Sequence, residues 1–203
     1  MVRVKVCGVT SLEDARVCVA AGVDAIGLNF WPKSVRRCEE GRARDIVQAL
    51  AGQALFVGVF VDAAAEEIER LVRQVGLGCV QLHGDESPAM VQRFLPHAYK
   101  AVRVRGESVL SITRSFPGEH VLLDAYVPGS PGGTGAVFDW QLARAVAQER
   151  KLTLAGGLTP ANVAAAVQAV RPYCVDTASG VESAPGVKDP ALVSAFVEAA
   201  RGA

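Results

Sequence analysis

Short apolar runs alternate along the chain with longer stretches in which apolar residues recur every three or four positions. Eight of the short runs are rich in valine, leucine and aromatic residues, which is typical of buried strands. They span residues 2–8, 24–31, 55–61, 79–84, 99–105, 120–126, 152–157 and 175–180. The helical spacing after each run predicts eight helices, at residues 12–22, 43–52, 64–76, 88–96, 108–116, 139–150, 160–170 and 190–200.

Several helix starts carry their own signals. Ser11, Thr159 and Asp189 are candidate N-caps, because a short polar side chain can accept a hydrogen bond from the first free backbone N–H groups. Pro160 and Pro190 fit the first helical position, where proline is favoured. The fifth helical pattern is the weakest, being short and polar.

Eight repeats of strand and helix without a long linker predict a single-domain α/β protein over residues 1–203, a parallel (β/α)₈ TIM barrel. The length is near the lower limit for that fold, so loops and helices must be compact. An open doubly wound sheet is the alternative. Against it, the first strand ends in Cys7-Gly8-Val9-Thr10 rather than in a G-x-G-x-x-G loop.

Composition narrows the class of partner. Half of the residues are hydrophobic, and Lys plus Arg equals Asp plus Glu at 21 each. Such a chain can bury a core, and it lacks the basic surface expected of a protein that binds nucleic acid or a membrane surface. An anion site must therefore be local, built from backbone N–H groups and one or two cations.

Cysteine usage and hydropathy bear on location. The five cysteines form no C-x-x-C pair, and an odd number does not suit a disulfide framework, so a reducing cytoplasm is expected. The first ten residues have no apolar block of signal-peptide length, and no run reaches the length of a membrane span.

The alternation of side chains along each strand places polar residues on the inner wall of the predicted barrel. The outer face must be apolar because it meets the helices, so Lys5 and Cys7 point inward. By the same count the inward residues of strands four, six and eight are Gln81, His83, Leu122, Asp124 and Asp176. Three of these side chains, Cys7, His83 and Asp124, lie at the carboxyl ends of strands, where barrel enzymes build their sites.

Each of these residues has a structural alternative. Cys7 can be a small buried hydrophobe, Asp124 can brace its glycine-rich loop, and His83 can be a rim residue instead of a ligand contact. Lys5 is expected to pair with an inward carboxylate, because an unpaired buried ammonium is costly. Strand eight neighbours strand one in a closed barrel, so the expected partner is Asp176.

Three consecutive loops are candidates for an anion cradle. Gly156 and Gly157 end strand seven, Ser179 and Gly180 end strand eight, and residues 132–135 after strand six contain three glycines. Loops after the last two strands form the usual phosphate site of this fold, since glycine lets the backbone approach an anion. A phosphorylated small molecule is the predicted ligand.

Six stretches, taken in order, resemble the phosphoribosylanthranilate isomerases of tryptophan biosynthesis along essentially the whole chain. They are VKVCGVT at the first strand, PKSVR (32–36), VQLHGDE (80–86), LLDA with GGTGAVFDW (122–140), LAGGLTPANV (154–163) and VDTASGVESAPGVKD (175–189). The resemblance implies an Amadori rearrangement of N-(5-phosphoribosyl)anthranilate without cofactor or metal. The family includes both monomers and homodimers, so either state is expected.

The resemblance implies roles for matching positions. Cys7 is the implied general base, Asp124 the general acid, and Arg36 the group that holds the anthranilate carboxylate. The remaining implied or expected substrate contacts are His83, Gly133, Gly156, Gly157, Ser179 and Gly180. The chemistry requires an acid that keeps its proton near neutral pH and a thiol whose pKa lies below the usual value of about 8.5.

The chain departs from the family pattern at strand eight, where Ala178 lacks a hydroxyl and Thr177 gains one. This affects side-chain help to the phosphate but not the backbone donors. PKSVR is followed by a second arginine, Arg37, which is expected to be solvated or paired.

Two other functions stay open from the sequence. The histidine-pathway isomerase performs the same rearrangement on a bulkier substrate, but that family usually has an aspartate at the end of strand one and two similar halves. A catalytically silent phosphate-binding barrel is the other alternative, and the presence of both Cys7 and Asp124 disfavours it.

Overall fold

A computed structural model describes residues 1–103, 108–124 and 140–203. Within these residues eight parallel strands form a closed barrel in chain order, and β1 pairs with both β2 and β8. The strands are β1 (Arg3–Cys7), β2 (Ala25–Asn29), β3 (Leu55–Phe60), β4 (Cys79–Leu82), β5 (Ala98–Arg103), β6 (His120–Asp124), β7 (Lys151–Ala155) and β8 (Cys174–Thr177). Closure confirms the predicted barrel and excludes the open sheet.

A helix follows each strand. The helices are α1 (Leu12–Ala20), α2 (Glu40–Ala49), α3 (Ala65–Leu71), α4 (Pro88–Phe94), α5 (Val109–Ser115), α6 (Trp140–Glu149), α7 (Val163–Val170) and α8 (Pro190–Arg201). A π-helical turn, Val72–Gly76, continues α3, and a 3₁₀ turn, Ser179–Val181, follows β8. No helix among the described residues is long and apolar enough to cross a membrane.

The strands are largely apolar because the barrel is buried on both sides, and polar exceptions such as Lys5 and Asp176 lie on the inner face. Outward residues such as Val4 and Val6 are fully buried in the large cluster between sheet and helices. Inward residues form a separate, smaller cluster, which includes Val57, Tyr99 and Leu122. The alternation of side chains along β1 was therefore predicted correctly.

Two of the three predicted caps are confirmed. Ser11 accepts a hydrogen bond from the backbone N–H of Asp14, and Asp189 accepts from the first turn of α8, which begins at Pro190. The prediction for Thr159 and Pro160 is wrong, because α7 begins at Val163 with Asn162 as its N-cap residue. Thr159 instead donates its backbone N–H to the Asn162 side chain, which forms a turn before the helix.

The end of the chain contains elements that the sequence pattern did not predict. The eighth strand ends at Thr177 rather than at Gly180, because the chain turns into the 3₁₀ turn. A two-stranded antiparallel hairpin follows, made of β9 (Glu182–Ala184) and β10 (Val187–Lys188). These strands are too short to show a period of two in the sequence.

Candidate active site at the carboxyl ends of the strands

The inner wall contains a buried ion pair between β1 and β8. Lys5 and Asp176 are register partners, and Lys5 Nζ lies 2.7 Å from Asp176 Oδ2. Their side chains are 2% and 6% exposed, which confirms the predicted pairing. The other carboxylate oxygen, Oδ1, is buried without a hydrogen-bond partner among the described residues.

Cys7 is the last residue of β1, and Gly27 of β2 lies opposite it. A Cβ atom on Gly27 would lie 2.7 Å from Cys7 Sγ and 3.1 Å from Lys5 Nζ. Glycine at this position therefore leaves the space that the thiol and the ammonium occupy together. No sequence signal indicated this role, since an isolated glycine in a strand has several explanations.

The electrostatic environment of Cys7 differs from the expectation. Burial raises the pKa of the thiol, the Lys5 charge lowers it, Asp176 raises it, and Lys188 lowers it. The net shift is upward, whereas the chemistry was expected to require a pKa below the ordinary value. The two ammonium groups oppose the cost of burying the thiolate but do not outweigh it. The pKa of Lys5 is itself raised, because Asp176 and Cys7 outweigh the opposing effect of burial.

Asp124 is the last residue of β6, so it lies at the same end of the barrel as Cys7. Its Oδ2 is 3.3 Å from His83 Nε2, and both side chains are 22% exposed. His83 Nδ1 lies 3.0 Å from Gln81 Nε2, and Tyr99 donates its hydroxyl proton to Gln81 Oε1 at 2.9 Å. With the Gln81 amide nitrogen as donor, a neutral His83 carries its proton on Nε2, facing Asp124.

Arg36 lies over the backbone that follows Cys7. Gly8 has a positive φ of 73°, and a Cβ there would overlap the aliphatic part of the Arg36 side chain. The guanidinium forms a bidentate pair with Glu182, with Nε 2.8 Å from Oε1 and Nη2 2.6 Å from Oε2. The hydrogen bonds to Glu182 raise the pKa of Arg36. Arg37 is more exposed and lies 3.4 Å from Glu39, as predicted for the paired alternative.

The loops after β7 and β8 contact each other closely. Gly156 and Gly157 have positive φ values of 97° and 67°. A Cβ on Gly180 would clash with the carbonyl oxygen of Leu158, so only glycine fits between the loops. The Thr177 hydroxyl donates to the same carbonyl at 2.8 Å, so the hydroxyl gained there braces the loops.

The two loops also contain backbone donors. The N–H groups of Gly157, Ser179 and Gly180 donate to no acceptor among the described residues. Gly133 and the rest of the third predicted loop lie outside the described residues, so the structure gives no account of that position. Among residues 1–103, 108–124 and 140–203, no group of three or more His, Cys, Asp or Glu side chains could hold a metal ion.

Two charged residues near this site were not assigned a role from the sequence. Lys188 has a fully buried side chain and bonds to the Cys7 carbonyl oxygen at 2.8 Å, while Glu182 bonds to both Arg36 and Lys188. Both residues lie within the quoted stretch 175–189. Two of their partners, Arg36 and Cys7, are more than 140 positions away along the chain, which no local pattern reveals.

The fold and the inner wall define the class of a (β/α)₈-barrel enzyme, with polar and titratable groups gathered at the carboxyl ends of the strands. The sequence model described as N-(5'-phosphoribosyl)anthranilate (PRA) isomerase matches residues 4–199. The chain belongs to this isomerase family.

Curated relatives and solved structures agree with that assignment. The chain is 46% identical to the N-(5'-phosphoribosyl)anthranilate isomerase of Pseudomonas fluorescens, covering 98% of this chain and 96% of the relative. It is 47% identical to that of Rubrobacter xylanophilus, covering 99% and 100%. The crystal structure of the Thermotoga maritima isomerase matches with a TM-score of 0.91 at 41% identity, over the whole of both chains.

One solved structure bears on ligand binding. A phosphoribosyl anthranilate isomerase in complex with reduced 1-(o-carboxyphenylamino)-1-deoxyribulose 5-phosphate matches this chain with a TM-score of 0.87 at 39% identity, over the whole of both chains. That ligand has an aromatic carboxylate at one end and a phosphate at the other.

Proposed function

We propose that this chain catalyses the Amadori rearrangement of N-(5-phosphoribosyl)anthranilate to 1-(2-carboxyphenylamino)-1-deoxyribulose 5-phosphate in tryptophan biosynthesis. Family membership over residues 4–199 supports the reaction. The observation that carries the assignment of roles is the placement of Cys7 and Asp124 at the carboxyl ends of β1 and β6, on the inner wall. No metal or cofactor takes part in the proposed reaction.

Asp124 is the proposed general acid. Opening of the furanose ring breaks the bond between the ring oxygen and the first sugar carbon, and the oxygen needs a proton as the bond breaks. Asp124 is mostly shielded from solvent and lies next to His83, whose Nε2 is 3.3 Å away. His83 thus has a role beyond the predicted substrate contact, because it fixes the orientation of the acid.

Cys7 is the proposed general base, which takes the proton from the second sugar carbon. The thiolate is the competent form, and Lys5 and Lys188 favour it while burial disfavours it. Because the net pKa shift is upward, we expect turnover to rise with pH until the thiolate predominates.

The two charged ends of the substrate have separate sites in this proposal. Arg36 binds the anthranilate carboxylate, for which planar guanidinium geometry is well suited. The backbone N–H groups around Gly156, Gly157, Ser179 and Gly180 bind the phosphate. Gly133 belongs to the same predicted cradle.

Replacement of either catalytic group tests the mechanism. We expect Cys7→Ala and Asp124→Asn each to lower kcat by about 10² to 10⁴, because each removes one positioned proton-transfer group. Binding of the reduced product analogue should change little, since neither group is assigned to hold an anionic end of the ligand. Turnover is measured by the loss of phosphoribosylanthranilate fluorescence, and binding by calorimetry.

Cys79→Ala is the matched control, because Cys79 is another inner-wall thiol at the opposite end of its strand. It should turn over normally. Wild-type turnover in the Cys7 or Asp124 variant removes that residue from its role. Turnover of the histidine-pathway substrate instead of phosphoribosylanthranilate would indicate the alternative isomerase. Absence of turnover of both substrates would favour a catalytically silent barrel.

The proposed setting is the cytoplasm, with the chain acting as one barrel domain. All five cysteines are free thiols, as a reducing compartment requires. A monomer and a homodimer both remain compatible with the family, and one Thermotoga maritima relative is described as a dimeric isomerase.

A further inference from the structure

A buried network of charges joins the proposed carboxylate anchor to the first strand. Glu182 on β9 accepts two hydrogen bonds from Arg36 and one from Lys188 Nζ, at 2.8 Å. The backbone N–H of Gly186 donates to the same Oε1 at 3.2 Å. The Glu182 side chain is only 4% exposed, so these bonds are shielded from solvent.

Lys188 attaches this network to the catalytic strand. Its Nζ donates to the carbonyl oxygens of Cys7 at 2.8 Å and of Ala178 at 3.0 Å. The hairpin is also tied to the loop after β1, because the Thr10 hydroxyl donates to the Gly186 carbonyl at 2.8 Å. The position of Glu182 is therefore fixed relative to Cys7 through several independent contacts.

The hydrogen bonds of Arg36 leave one side of its guanidinium open. Glu182 occupies Nε and Nη2, while Nη1 donates to none of the described residues. The ion pairs of the cluster among the described residues join two cations, Arg36 and Lys188, to one carboxylate, Glu182. The Arg36 side chain is 26% exposed, which leaves it accessible to a ligand. A ligand carboxylate could therefore bind the open side of the Arg36 guanidinium.

We propose that Glu182 is a specificity-determining positioning residue, which orients Arg36 so that the site selects ligands that carry an aromatic carboxylate. The inference rests on the proposed role of Arg36. Glu182 acts through Arg36 and does not contact the reacting atoms. Lys188 fixes the position of Glu182 relative to Cys7, because its Nζ donates hydrogen bonds to both residues.

The test compares two ligands that differ only in the carboxylate. They are reduced 1-(o-carboxyphenylamino)-1-deoxyribulose 5-phosphate and its counterpart with an unsubstituted phenyl ring. In Glu182→Gln, the dissociation constant of the carboxylated ligand should rise about tenfold or more, while that of the phenyl ligand stays within about twofold. In turnover the effect should fall on KM, with kcat within about threefold of wild type.

Two further variants complete the test. Glu182→Gln leaves the Lys188 ammonium buried without its carboxylate partner. The double variant Glu182→Gln with Lys188→Met removes that ammonium as well, and it should also lose the preference for the carboxylated ligand. Glu40→Gln is the matched control, because Glu40 forms a bidentate pair with Arg70 on the surface, with both bonds at 2.8 Å. It should bind both ligands as wild type does.

The possible outcomes separate this inference from the proposed function. Equal weakening of both ligands in the folded Glu182 variants, or no weakening of the carboxylated one, overturns the positioning role. Arg36→Met tests the anchor itself and should abolish the preference for the carboxylated ligand. A wild-type enzyme without any such preference would instead refute the proposed role of Arg36.

Discussion

At the scale of single residues, Lys5 interacts with two groups, the carboxylate of Asp176 and the thiol of Cys7. It neutralises Asp176 at 2.7 Å, and its charge also favours the thiolate of Cys7. A buried ion pair gives little net stability compared with apolar residues of similar size, because both charges lose their hydration. The pair is therefore better explained by its effect on Cys7 than by stability.

Substitution at Lys5 separates these two effects. Lys5→Met leaves Asp176 buried without a partner, so the free energy of unfolding should fall by about 3–5 kcal/mol. The double variant Lys5→Met with Asp176→Leu removes both charges and should recover most of that loss. Urea unfolding of the three proteins measures the difference, and a double variant as unstable as the single one would contradict the argument.

The double variant also tests the pKa of Cys7. Lys5 lowers this pKa more than Asp176 raises it, so removing both should raise it. A general base acts in its deprotonated form, so the rising limb of kcat/KM against pH should move to higher pH. A limb that stays in place would show that Lys5 does not act on the proposed base.

At the scale of elements, capping decides where α8 begins. Asp189 accepts hydrogen bonds from the backbone N–H groups of Ala191 at 2.8 Å and Leu192 at 3.0 Å. The helix packs its buried face, which includes Val193 and Phe196, against the barrel. The sequence predicted this start correctly, whereas it placed the start of α7 about a turn too early, at Pro160 instead of Val163.

Loss of the Asp189 cap should cost stability without loss of activity. Asp189→Ala is expected to lower the free energy of unfolding by about 0.5–2 kcal/mol, because two N–H groups lose their acceptor. Asp189→Asn keeps an acceptor at the same place and should stay close to wild type. Thermal and urea unfolding provide the measurement, and equal losses in both variants would argue against capping as the cause.

At the scale of the whole molecule, the two ends of the barrel interior differ in chemistry. The end opposite the candidate site holds His120, which is stacked on Tyr99 with ring centroids 4.2 Å apart and lies 2.7 Å from the Thr153 hydroxyl. Burial, followed by the charges of Lys5, Lys151 and Arg150, lowers the pKa of His120 to about 4. This imidazole is therefore neutral in the folded protein at physiological pH.

The depressed pKa predicts a pH dependence of folding. In the unfolded chain His120 becomes protonated below about pH 6.5, whereas in the folded chain it stays neutral until about pH 4. Between these two pH values the unfolded chain binds more protons, so acid favours unfolding. The contribution of neutral His120 to the free energy of unfolding is fully present above about pH 6.5 and is lost as the pH falls to about 4. We expect the free energy of unfolding to fall by on the order of 2 kcal/mol. This is less than the full pKa shift corresponds to, because the His120 side chain is partly exposed to solvent.

His120→Gln should remove this component, so its stability should decline less than that of the wild type between pH 6.5 and pH 4. Denaturant unfolding at several pH values measures the difference. His97→Gln, which removes an exposed imidazole, is the matched control and should follow the wild type. Parallel curves for His120→Gln and wild type would refute the prediction.

The sequence by itself determined the eight-fold alternation, the inward faces of the strands and the positions of Cys7 and Asp124. These follow from local rules, since a strand has a period of two and the outer face of a barrel must be apolar. Only the tertiary structure decided that Arg36, Glu182, Lys188 and the carbonyl of Cys7 form one network, and that Gly27 makes room for a thiol and an ammonium. Such contacts join residues distant in sequence, and their geometry depends on closure of the barrel.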